Sequence, residues 1–114
     1  MKKVTEKACI AATIIMARWA EESIVTANPT DVILVGKEPE RDYNTSKFEN
    51  HESQLYPNYC QWCWDNHIIN QVIPLRQFKP TLAEHFWNSK VGARSCLVKG
   101  VAAYSGIKLA KAND

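Results

Sequence analysis

Glycine is scarce in this chain of 114 residues, with four at Gly36, Gly92, Gly100 and Gly106. They are too scattered to build a loop that cradles phosphates. Gly-x-Ser-x-Gly, His-Glu-x-x-His and Asp-x-Asp-x-Asp-Gly do not occur, so the nucleophile elbow, the zincin helix and the calcium loop are excluded. No apolar run approaches the roughly 20 residues that a membrane span needs. There is no internal repeat and no low-complexity segment. Carboxylates are sparse in the second half: residues 58–114 hold Asp65, Glu84 and Asp114 against seven Lys and Arg, a balance of +4. The first half, residues 1–57, carries nine acidic and seven basic groups, a balance of −2.

With 46% hydrophobic and 23% charged residues, the chain has too much apolar mass for disorder and is expected to form a single domain over 1–114. The N-terminal MKKVTEK followed by ACIAATIIMA has the outline of a signal peptide. Glu6 in its charged region and the lack of a small-x-small cleavage site in ARWAEE argue against one. The expectation is a cytoplasmic chain with reduced thiols and no membrane association.

Periodicity predicts a first helix over residues 5–26, with Ala8, Cys9, Ala12, Ile15, Met16 and Trp19 on one face. Ile10 and Ile14 lie one turn apart among its charged residues, to be covered either by another segment of this chain or by another chain, as in a self-contact. Asp31–Val35 is a short apolar run that fits a strand or a buried turn. Residues 37–53 are polar and long for a connection, a length often associated with function; Ser46 and Glu49 have the spacing of a capping box within it. A second helix is expected over Tyr59–Ile73. A third is expected from Pro80 to about Lys90, capped by Thr81 with Glu84 three residues on. Residues 91–105 read as a last helix stopped by Gly106, with Gly92, Cys96, Gly100 and Ala103 as a small-residue stripe against Ala8 and Ala12. The fold class expected is therefore mainly α: a small single-domain bundle of about four helices, with one short β-element near residues 32–35.

Cys60-x-x-Cys63-x-x-x-His67 is the sharpest local motif. On a helix these side chains share one face, and Cys with His is a zinc donor set. The fourth ligand would come from His51, His85, Cys9 or Cys96. Alternatively, the cysteines are small apolar groups of a buried helix. The stretch from Cys60 to Leu75, with CQWC and INQVIPL, resembles the HNH nucleases, in which a CxxC knuckle precedes an Asp-His pair and an apolar segment. This chain has Asn70-Gln71 in place of that pair, and two amides cannot hold a catalytic divalent ion or deprotonate water. The resemblance implies nucleic-acid binding without catalysis.

Aromatic residues crowd the middle of the chain: Tyr56, Tyr59, Trp62, Trp64, Phe78, Phe86 and Trp87. Most are expected in the core. The leading functional expectation is a non-catalytic protein-binding module of inhibitor or adaptor type, acting on a protein partner and forming a homodimer. Its contact residues are Tyr43, Phe48, Trp64, Ile10 and Ile14. The alternative is a nucleic-acid-binding module using the basic C-terminal half through Arg76, Lys79, Lys90 and Arg94, with zinc at Cys60, Cys63 and His67 as an optional stabiliser. No other cofactor is expected.

Overall fold

The computed structural model describes the backbone of residues 2–110 and the side chains of residues 12–110. Helix α1 (Lys2–Ser23) buries Ala12, Met16, Trp19 and Ala20, the three-and-four spacing of one helical face. It ends where Ile24-Val25-Thr26 begins, a β-branched run that forms strand β1. Strand β2 (Val32–Leu34) follows, then a small hairpin of β3 (Arg41–Asp42) and β4 (Lys47–Phe48). Helix α2 (Leu55–Asp65), a 3-10 turn (Ile69–Gln71) and helix α3 (Leu75–Ser89) come next. Strands β5 (Arg94–Val98), β6 (Val101–Ser105) and β7 (Ile107–Leu109) complete the order.

The expected four-helix bundle does not form. The described residues make three α-helices and seven short strands in three small antiparallel sheets, a mixed α/β fold. The difference lies in residues 91–109. Lys99 and Gly100, at φ 52° and 80°, form a two-residue turn of the kind that closes a tight hairpin. Val98 therefore pairs with Val101 and Arg94 with Ser105. Leu97, Val98, Val101 and Tyr104 suit a pleated surface, and an interior glycine would have cost a helix about 1 kcal/mol. The packing expected between the first helix and a last helix therefore does not occur; instead β7 pairs with β1, the strand that follows α1, with Ile24 opposite Leu109 and Thr26 opposite Ile107. Ala8 and Cys9 lie outside the residues whose side chains are described.

The other helix boundaries also move. α2 starts at Leu55, ahead of the expected Tyr59, and stops before His67, whose φ of 61° is left-handed. α3 starts before Pro80, because the Pro74 carbonyl accepts from the amides of both Gln77 and Phe78 at 2.9 Å. Thr81 consequently lies inside the helix and donates its hydroxyl to the Gln77 carbonyl at 2.8 Å, instead of capping. Ser46, at φ 58°, turns the β3–β4 hairpin and opens no helix.

Aromatic rings hold the helices together. Phe78 of α3 is fully buried against Trp19 of α1 and Tyr56 and Tyr59 of α2, with ring centroids 4.9–5.6 Å apart. Trp19 donates its indole N–H to Asn58 Oδ1 at 2.8 Å, and Asn58 donates its amide to the His51 carbonyl at 2.8 Å. The sheet joins this core through β2: the Val35 amide donates to Ala102, and the Val35 carbonyl accepts from Tyr56.

Candidate functional site

The orientation of α3 is fixed from inside. Phe78, Leu82 and Phe86 are buried at helical spacing. The connection before α3 is clamped by two tyrosines: Tyr56 donates its hydroxyl to the Ile73 carbonyl at 2.7 Å, and the Ile73 amide donates to the Tyr59 hydroxyl at 3.2 Å. With the inner face committed, Arg76, Lys79, Pro80, Ala83 and Trp87 are all exposed. Lys90 adopts a left-handed conformation at φ 57° and ends the helix, and the chain then enters the β5–β6 ribbon.

β5 is the outer strand of its sheet, with β6 on one side. Its Arg94, Ser95, Leu97 and Val98 are exposed. Between α3 and this ribbon lie two depressions that share Ser95 and Tyr104. One, of about 500 Å³, is bordered by Ala83, Phe86, Trp87, Lys90 and Ala93. The other, of about 330 Å³, includes Lys79 and Leu97. Neither has a carboxylate in its lining. From residue 75 to 110 the cations are Arg76, Lys79, Lys90, Arg94, Lys99 and Lys108, and the one acidic residue is Glu84. Such a density of one sign raises the local concentration of anionic ligands.

Arg76, Lys79, Lys90 and Arg94 are thus spread along α3, its C-terminal cap and the start of β5; Lys79 and Lys90 border different depressions, and Arg76 and Arg94 line neither. Three of the expected docking residues, Tyr43, Phe48 and Trp64, do gather, around Arg41 at the β3–β4 hairpin and the end of α2. Tyr43, at the β3–β4 turn, is 82% exposed. The Arg41 guanidinium lies 4.7 Å from the Tyr43 ring and 4.3 Å from the Trp64 ring. Phe48 meets Trp64 edge-on at 6.3 Å, and both are half-buried. Ile14 is exposed on α1, and the Ile10 side chain lies outside the described residues.

Cys60, Cys63 and His67 do not converge. Both cysteines are buried in the core beside Tyr56 and Tyr59, whereas His67 lies exposed beyond the end of α2. Burial pushes the Cys60 thiol up to about 12 and the Cys63 thiol up to about 11, the opposite of what a metal-binding thiolate needs. Among the described residues no group of three or more His, Cys, Asp or Glu is arranged to hold a metal ion. The CxxC lies on a continuous helix, so the knuckle that the HNH resemblance implied does not form.

A larger cavity of about 790 Å³ is lined by Lys47, Lys108, Glu52 and Asp65 together with Asn58 and Gln61. Its lining mixes both signs of charge, and its amides are used internally. Gln61, 4% exposed, accepts from the Phe48 amide at 2.8 Å and donates to Asp65 at 3.0 Å.

Two features of α3 and the ribbon after it escaped the sequence reading. Trp87 is 84% exposed, although it was grouped with the aromatic core; its place opposite Phe78 and Leu82 on the α3 wheel was the available signal. Lys99 occupies a hairpin tip, and the Lys-Gly pair was its signal. No helix among the described residues is long and apolar enough to cross a membrane. In comparison with known proteins, no family model, curated protein or solved structure matches this chain.

Proposed function

We propose that this chain is a nucleic-acid-binding module that lays the exposed face of α3 and the β5–β6 ribbon against a duplex. The observation that carries this reading is the row of exposed Arg76, Lys79, Lys90, Arg94 and Lys99 along one helix, its cap and the ribbon after it, with Glu84 as the sole carboxylate of residues 75–110. A helix and a two-stranded ribbon are the two elements that a DNA major groove admits. The N-terminal end of α3 presents Arg76, Gln77 and Lys79, all exposed, so two cations and an amide stand together where phosphates and base edges could be met. At 15 residues, α3 is about 22 Å long, enough to follow the groove across several base pairs.

The chemistry assigned to the site is binding. Lys and Arg replace the counterions condensed on phosphates, so affinity falls as salt rises, by a slope of about −0.9 per phosphate contact in B-DNA. The test is fluorescence anisotropy of a labelled 20-base-pair duplex at several salt concentrations. Binding with a log–log slope of about −3 or steeper supports the reading. A flat titration at low salt rejects it and leaves docking on a protein, with exposed Tyr43 as its principal contact.

A further inference from the structure

We propose that the cavity of about 500 Å³ between Trp87 and β5 receives one unpaired nucleobase of the bound strand. This rests on the duplex reading above, which draws its affinity from the cations of the α3 face and gives the Trp87 ring no base to stack on. At that size the cavity falls within the range of about 300–1,000 Å³ typical of small-ligand pockets. Its floor is aromatic: Phe86 and Tyr104 meet edge-on with centroids 4.9 Å apart, and both rings are buried. Ala83 and Ala93 keep the walls low, and Ser95 places a hydroxyl on the ribbon side.

The rim carries the second part of the argument. Trp87 is 84% exposed in a chain that buries Trp19 completely. Trp87 borders this mostly apolar depression, and bases stack on exposed aromatic rings whatever their sequence. Lys90 lines the same cavity, so a cation is at hand for the phosphate of the stacked nucleotide, and no carboxylate lines it to repel that phosphate. A fully paired duplex keeps its bases inside the stack, so the slot is filled only when a base is unpaired, at a single-strand overhang, a fork or a bulge.

The experiment compares a blunt duplex with the same duplex carrying a four-nucleotide overhang, by anisotropy, for the wild-type chain, Trp87→Ala and Trp87→Phe. The wild-type chain is expected to bind the overhang DNA about tenfold more tightly, a factor within the range of base–aromatic stacking. Trp87→Ala should lose that preference, with a smaller loss on the blunt duplex, and Trp87→Phe should retain most of the preference. Equal affinity of the wild-type chain for both DNAs overturns the proposal and leaves the duplex reading standing. So does an equal loss on both DNAs in Trp87→Ala. Failure to bind either DNA overturns both readings.

Discussion

A Cβ placed on Gly106 would lie 2.9 Å from the carbonyl oxygen of Gly92. Gly106 has a φ of +86°, donates its amide to the Asp31 carbonyl and accepts from the Ala27 amide. It thus sets the break between β6 and β7 and ties both to the loop between β1 and β2. Neither the turn nor the close approach leaves room for a side chain. Gly106→Ala is expected to cost about 1–3 kcal/mol, from the left-handed backbone and the crowded carbonyl together. Thermal unfolding followed by circular dichroism measures it, and an unchanged melting temperature would remove Gly106 from the set of constrained positions.

Phe78 and Trp87 lie on the same helix with opposite expected behaviour. Phe78→Ala removes a ring packed on Trp19, Tyr56 and Tyr59 and should cost about 3–5 kcal/mol. Trp87→Ala, at a residue 84% exposed, should stay within about 0.5 kcal/mol of the parent. Urea unfolding of both variants gives the comparison; similar losses would mean that α3 is rotated from the orientation described.

The cysteines give a pH signature. Cys60 and Cys63 stay protonated in the fold well beyond their ordinary value of 9.0, because burial disfavours the thiolate. Above pH 9 the unfolded chain releases these protons and the folded chain keeps them. Stability therefore falls as pH rises from about 9 towards the folded values of about 11 and about 12. The companion measurement is alkylation at neutral pH with peptide mapping. The half-buried Cys96 should be modified well before Cys60 and Cys63, and equal rates would show that the α2 cysteines are open to solvent.

Arg76→Ala and Lys79→Ala should each weaken duplex binding and lower the steepness of the salt dependence by about one unit. Both side chains are exposed, so the variants should melt with the parent. Tyr43→Ala, on the β3–β4 turn, should leave duplex affinity unchanged. A loss in Tyr43→Ala matching that in Lys79→Ala would move the contact surface to the hairpin.

Some of this molecule was legible in its residues. The α1 face of Met16 and Trp19 follows from spacing, since a helix repeats its faces every three or four positions. The basic character of the second half is plain composition. Arg76, Lys79, Lys90 and Arg94 are legible as cations interleaved with aromatics in a stretch that holds one acid, Glu84, and their placement along one helix and the strand after it comes from the fold. The ribbon was misread because Gly92, Cys96, Gly100 and Ala103 also fit a helical stripe. Spacing does not distinguish a glycine used for close helix packing from one used for positive φ, and the Lys-Gly turn decided the matter. The exposure of Trp87 was hidden for a related reason. A Trp in a small chain is usually core, and its position became clear only once Phe78 and Leu82 were known to fill the inner face of α3.

The most direct test of nucleic-acid binding through α3 is to follow the backbone amides by NMR while a short duplex is titrated at low salt. The expected result is that shift changes concentrate in residues 76–90 and 94–101 and reverse when salt is raised. Changes confined to residues 41–48 and Trp64, or none at all, would contradict it.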